Sequence, residues 1–209
     1  MKHSRAPAPL KELVIATANP GKLREFQALL ADLPFAPVAQ GALGVTAPEE
    51  TGTTFAENAL LKAHHAAAAS GAAAIADDSG LEVDALGGAP GIYSARYAGE
   101  AAGDAANNAK LVAALQGVPF QLRRARYRCA LVYLDGPGDT APLHAQGVWE
   151  GYILEAPRGS RGFGYDPYFW LPELELTAAE LDPALKNRLS HRGTALQALR
   201  SALAESPVG

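Results

Sequence analysis

The stretch ELVIATANPGKLREFQALLADL, residues 12–33, sets the fold class. Its first six residues are an apolar run of strand length, read as a buried strand over 12–17. From Lys22 to Leu33, apolar side chains recur at Leu23, Phe26, Leu29, Leu30 and Leu33, the spacing of one helix face. Between the two lies ANPG, where Asn19 can cap the helix and Pro20 suits its first turn. A strand that turns sharply into a helix is the opening unit of an α/β fold.

The rest of the chain extends that pattern. TTFAENALLKAHHAAAAS (53–70) reads as a second helix, with Thr54 and Glu57 as a capping box and Gly71 as its stop. AAAIADDS then reads as a strand ending at its acids, and GLEVDAL as another short extended piece. A helix from about Asp104 to Leu115 precedes ARYRCALVYLD (125–135), which alternates as a strand, and APLHAQGVWEGYILEAP (141–157) resembles its pairing partner. RGFGYDPYFW (161–170) is a glycine–aromatic loop running into a strand. TAAELD and TALQALRSALAES read as helical. Strands alternating with helices, then a strand-rich segment, favour an α/β domain with a mixed sheet. Residues 1–9 read as a flexible extension and 10–209 as one domain, with no repeat or linker.

The 209 residues are 48% hydrophobic and 19% charged, enough for a sizeable core. A formal net charge of −4 argues against broad nucleic-acid binding while allowing one local basic pocket. The single cysteine, Cys129, excludes an intramolecular disulfide and a thiolate cluster, and its CALVYL setting suits a small buried side chain. The N-terminal residues lack an apolar leader segment, and AAAASGAAAIA is far shorter than the ~20 residues that span a bilayer. The expectation is a soluble, cytoplasmic protein.

Several clusters carry possible chemistry. TANPGK (17–22) places a helix N-terminus and Lys22 after a strand, a natural anion site, although Ala16 and Leu23 stand where a P-loop needs other residues. APEETGTTFAENALLKA (47–63) puts Glu49 and Glu50 ahead of a helix whose Asn58 and Lys62 share a face. Asp77 and Asp78 are neighbours on a strand and so point to opposite faces. One should face a cleft and hold a hard divalent cation, while the other braces a neighbouring element. The glycines of the following turn, Gly87, Gly88 and Gly91, would let backbone line that cleft. FGYDP offers Phe163, Tyr165 and Asp166 around a glycine, as for a stacked heterocycle. KNRLSHRG offers Lys186, His191 and Arg192 as donors to a base. Each cluster alone also fits an ordinary capped turn or a solvated charged surface. His64 and His65, adjacent on one helix, cannot share a face and do not suggest zinc.

Taken together, TANPGK, EETGTTFAENALLKA, ADDSGLEVDALGGAPGIYSARYAG, GFGYDP and SHRG, in this order and spacing, resemble the inosine triphosphate pyrophosphatase family, over about Leu13 to Leu203. The resemblance implies a twisted mixed β-sheet flanked by helices, two lobes with the active cleft between them, and a homodimer. It implies Mg2+-dependent hydrolysis of non-standard purine nucleoside triphosphates (ITP, dITP, XTP) to monophosphate and pyrophosphate. Thr17, Ala18, Asn19, Pro20, Gly21 and Lys22 match the family's phosphate turn. Glu49 and Asp78 match its metal site, Asp78 also its general base, and Ser79 a substrate contact. Lys62 supplies further charge for the phosphates. Phe163, Gly164, Tyr165, Asp166, Lys186, His191 and Arg192 match its base-recognition set. The alternatives are a related pyrophosphatase acting on modified pyrimidine nucleotides, and a nucleotide-binding sensor without turnover.

Overall fold

The computed structural model describes residues 10–205. The expected N-terminal extension, residues 1–9, and the last four residues of the expected domain lie outside that range. One seven-stranded sheet runs through the molecule in the order β2-β1-β3-β4-β5-β6-β7. β1 (Lys11–Ile15), β2 (Phe35–Ala39) and the start of β3 (Ala73–Val83) are parallel. β4 (Arg124–Leu134), β5 (Leu143–Ile153), β6 (Phe169–Leu171) and β7 (Leu176–Thr177) continue antiparallel. The helices are α1 (Pro20–Leu29), α2 (Phe55–Ser70), α3 (Asp104–Ala114), α4 (Pro183–Leu189) and α5 (His191–Glu205).

The two-residue period of the strands decides what each face holds. On one face Leu13, Ile15, Ile75, Leu131 and Tyr133 meet Phe26 and Leu30 of the α1 segment and Leu196 and Leu199 of α5. On the other, Val14, Ala74, Ala76, Ala130 and Val132 meet Ala59, Ala63, Ala66 and Ala67 of α2. Alanine against alanine lets α2 lie close on the sheet. The far halves of β3, β4 and β5 build a separate core, where Leu81, Val83, Tyr127, Trp149 and Ile153 pack with Phe169 and with Leu111 of α3. β3 and β4 thus contribute to all three clusters, two on opposite faces at one end of the sheet and one at the other.

β3 also opens a cleft at its edge. β1 leaves it after Ile15 pairs with Ile75. The β1-side edge then has no strand partner until the single bridge between Glu82 and Pro90. Ligands of open α/β sheets collect at such carboxyl ends of parallel strands.

Four expectations change. AAAIADDS and the GLEV of GLEVDAL join in one unbroken strand, Ala73–Val83, of 11 residues, so the acids sit mid-strand, and Asp84–Leu86 form a short 3-10 turn. Ser79-Gly80 looks like a turn, yet β4 pairs straight across it. Gly80 serves close packing instead, since a Cβ there would stand 2.3 Å from the Gly91 carbonyl oxygen. FAPVA (35–39), not expected as a strand, is the edge strand β2, where a proline is tolerated. TAAELD is not a helix. Thr177 belongs to β7, the Glu180 carboxylate accepts its N–H, and the segment closes as a single turn before Asp182 caps α4. Finally, α1 starts at Pro20 and stops at Leu29, short of Leu33.

α5 rests on β5 through a contact only glycine permits. A Cβ on Gly147 would lie 1.9 Å from the His191 carbonyl oxygen and 2.6 Å from the Ala195 amide nitrogen. Both are helix backbone and cannot swing aside. Gly147→Ala should therefore cost about 1–3 kcal/mol of stability by overpacking, read as a lower urea midpoint at unchanged m-value.

Candidate active site

The phosphate turn forms as its residues dictate. Asn19 caps α1, its Oδ1 accepting the N–H groups of Gly21 at 2.8 Å and Lys22 at 3.1 Å. The cap therefore uses two of the first-turn amides that an incoming phosphate would otherwise meet. Thr17, Ala18, Asn19 and Lys22 line the cleft, a cavity of about 290 Å3, whereas Pro20 and Gly21 do not. Gly21 instead lies against the Phe163 ring.

Asp77 and Asp78 divide as the pleat requires. Asp78, 5% exposed, faces α2. Its Oδ1 accepts from Lys62 Nζ at 3.0 Å and its Oδ2 from Asn58 Nδ2 at 3.2 Å, so the two residues expected to share a helix face do so. Lys62 also donates to Glu50 at 2.7 Å, and Arg96 donates to the other Glu50 oxygen at 3.3 Å. Asp77, 1% exposed, faces α1 and α5. It pairs with Lys22 at 2.9 Å and with Arg192 Nε at 3.3 Å, and accepts the Ser79 hydroxyl at 2.9 Å.

The same surroundings push these two neighbours in opposite directions. Burial raises the Asp78 carboxyl above the usual carboxylate range, and the Glu50 charge adds to that against Lys62 and Lys22. Burial would raise Asp77 too, but the Lys22 ammonium and Arg192 guanidinium overcome it and hold Asp77 far below. Adjacent acids driven apart in this way mark one proton acceptor and one permanent anion.

At the other end of the cleft the FGYD loop meets α4 and α5. Asp166 accepts the Phe163 N–H at 2.9 Å and the Lys186 ammonium at 2.6 Å. Tyr165 is buried and donates to the Ser94 carbonyl at 2.8 Å. Lys186 Nζ and the Arg192 guanidinium stand over the Phe163 ring, at 4.9 and 5.8 Å from its centroid. Arg192, 2% exposed, also donates to Ser79 at 3.0 Å. Glu25 of α1 joins both cations, accepting from Lys186 at 2.8 Å and from Arg192. His191 stacks on Tyr127, rings 4.7 Å apart and 8° from parallel, and its buried Nδ1 has no partner. Burial and the nearby Arg192 keep that imidazole neutral.

Most expected site residues therefore converge. Lys62, Asp78, Ser79, Phe163, Gly164, Tyr165, Asp166, Lys186, His191 and Arg192 all line the one cleft. Glu49 does not. It is exposed and outside the lining, and Glu50 is the carboxylate brought beside Asp78. Two successive carboxylates in an irregular segment give no periodicity by which to choose between them. The glycine turn is displaced as well, since Gly87, Gly88 and Gly91 line a neighbouring groove rather than the cleft. Glu25 and Arg96 were not singled out by sequence. The three-residue step from Lys22 to Glu25 on α1 was the available signal for the first.

The fold and cleft have counterparts. The sequence model of the Ham1 family matches residues 13–202. A dITP/XTP pyrophosphatase of Xanthomonas campestris pv. campestris (strain 8004) is 58% identical over 194 residues, covering 93% of this chain and 98% of that protein. A dITP/XTP pyrophosphatase of Vibrio cholerae is 56% identical, covering 94% and 98%. Among solved structures, a HAM1 protein from Coxiella burnetii superposes with a TM-score of 0.85 at 48% identity, covering 94% of this chain and all of that one. Sequence and architecture agree over almost the whole length, and the chain belongs to the Ham1 family.

Proposed function

We propose that this protein hydrolyses the non-standard purine nucleoside triphosphates ITP, dITP and XTP to the monophosphate and pyrophosphate, keeping deaminated purines out of DNA and RNA. The observation that carries this is the cleft itself. It has a buried carboxylate paired with Lys62 at one end and an aromatic ring beneath two cations at the other, in a chain 58% identical over 194 residues to a protein named dITP/XTP pyrophosphatase.

The reaction adds water across the bond between the α-phosphorus and the bridging oxygen. Asp78, whose carboxyl is made more basic by burial, takes the proton of the attacking water. Lys62 and Lys22, both lining the cleft, offset the charge gathering on the phosphate oxygens. The Asp78 and Glu50 carboxylates hold Lys62 charged until substrate arrives. Phe163 gives the purine a face to stack on.

A nucleotide pyrophosphatase needs a divalent cation, and the donors here suit one. Asp78 and Glu50 are hard oxygen ligands that converge on a single ammonium, Lys62, so the site already holds one positive charge between two acids. Among the described residues no third His, Cys, Asp or Glu joins them. Magnesium, which keeps several waters and accepts one or two carboxylates, fits that set. Held by Asp78 and Glu50, Mg2+ would neutralise phosphate oxygens and acidify the attacking water. Glu50 takes the part expected of Glu49. The protein is further proposed to work as a homodimer in the cytoplasm, binding neither nucleic acid nor membrane. Among the described residues no helix is long and apolar enough to cross a bilayer.

Kinetics on ITP, dITP, XTP, GTP and ATP with magnesium test the reading. The first three should lead in kcat/KM, with pyrophosphate as product, and a preference for ATP or release of single phosphates would overturn it. Asp78→Asn should fold normally and lose ~10²–10⁴-fold in kcat, and near-normal turnover at saturating magnesium would refute its role.

Asp77→Asn should act on stability instead. Removing a buried anion takes from Lys22 its carboxylate partner and leaves Arg192 with Glu25 alone, at a cost of about 3 kcal/mol. The Asp77 carboxyl titrates lower in the folded than in the unfolded chain. Its contribution is therefore present above the unfolded carboxylate pKa and is lost as pH falls below it. The stability gap between Asp77→Asn and wild type, followed by urea melts, should be full at neutral pH and shrink in acid.

A further inference from the structure

We propose that Asp104 and Asn108 of α3 are positioning residues that set the Phe163 platform by gripping the backbone of Gly164. The Gly164 N–H donates to Asp104 Oδ2 at 2.6 Å, and its carbonyl accepts from Asn108 Nδ2 at 2.8 Å. One residue thus has both backbone polar groups tied to side chains one helical turn apart on a single helix. Gly164 is the pivot on which this matters. Its φ of +62° is a left-handed conformation that other residues adopt reluctantly, and it directly follows Phe163, whose ring must meet the base. The Asn108 amide is oriented without ambiguity, because Nδ2 donates both to the Gly164 carbonyl and to that of Asp104.

α3 is itself fixed. Asn107 Oδ1 accepts the Ala98 N–H at 2.7 Å and Nδ2 donates to the Ala95 carbonyl at 3.1 Å. Leu111 is buried in the far core. On the other side of Phe163, Asp166 holds its N–H. The ring is therefore bracketed, by Asp166 on its own amide and by α3 on the next residue. Asp104 lines the cleft beside Phe163 and Gly164, so the grip lies at the cavity wall. Its release would let the loop rotate about Gly164 and lower purine affinity while leaving Asp78 and Lys62 untouched.

The inference rests on the purine reading above, and the test separates the two. Hydrogen exchange over residues 161–167 and ITP kinetics are measured for wild type, Asp104→Ala, Asn108→Ala, Asp104→Asn, Phe163→Ala and the Asp104→Ala/Phe163→Ala double variant. Both alanine variants on α3 should speed exchange in that segment. They should raise KM for ITP about fivefold, the loss of one hydrogen bond, with a smaller change in kcat. Asp104→Asn keeps an acceptor oxygen and should stay near wild type. With Phe163 already removed, Asp104→Ala should add less than about twofold, since coupled residues are not additive. Unchanged exchange in Asp104→Ala, unchanged KM while Phe163→Ala raises it, or effects that multiply in the double variant would each overturn the clamp. Wild-type protein that fails to turn over ITP would overturn the substrate reading and the platform role with it.

Discussion

The ion pair between Asp77 and Arg192 is the contact on which the rest of the cleft depends. Both side chains are buried, and a buried charge is tolerable only when paired. Neither pairs once. Asp77 also holds Lys22, Arg192 also holds Glu25, Glu25 also holds Lys186, and Lys186 ends on Asp166. Six charges alternate in sign from the phosphate turn to the base loop, three of each. Removing Asp77 takes from Lys22 its ion-pair partner, and removing Lys186 does the same to Asp166, whereas the members between keep a second partner. The chain of pairs is therefore a registration device. It ties α1, β3, α4, α5 and the FGYD loop to one another.

The pleat of β3 then assigns the chemistry. With Asp77 spent on the α1 and α5 side, the next residue must face α2, where Lys62, Asn58 and Glu50 wait. Neighbours in sequence thus serve two different tasks without competing for one proton. Because β1 ends at Ile15, the strand edge carrying both is open to a ligand. The same edge would be unreachable in a sheet whose parallel strands all ran to equal length.

Much of this was legible in the sequence because it is local. Asn19, Pro20, Thr54 and Gly71 punctuate helices through their own caps, and the opposed faces of Asp77 and Asp78 follow from strand geometry alone. What failed was set by distant neighbours. Ser79-Gly80 carries the signal of a turn, but ten residues of pairing with β4 override it. That Glu50 and not Glu49 lines the cleft depends on where Lys62 and Arg96 come to rest, which no spacing within 47–51 reveals. Glu25 sits on the helix it should, yet its partners lie at positions 186 and 192 and meet it only after the sheet has closed.

The charged chain also bears on which base is accepted. Arg192 spends three donors on Asp77, Glu25 and Ser79, and Lys186 spends two on Glu25 and Asp166. A guanidinium has five and an ammonium three, so each keeps donors in hand, and neither can accept a hydrogen bond in any state. His191 differs. Held neutral, its unpartnered Nδ1 can donate or accept according to tautomer, so it fits a ring carbonyl or an amino group equally well. Discrimination must come from groups that cannot adapt. On the proposed purine reading, two permanently protonated side chains held by carboxylates over Phe163 would donate to the 6-oxygen of hypoxanthine or xanthine. The 6-amino group of adenine meets only donors there and would leave them unpaired. The pairing that holds Arg192 and Lys186 in place over Phe163 is thus the same pairing that keeps both charged, as the proposed discrimination requires.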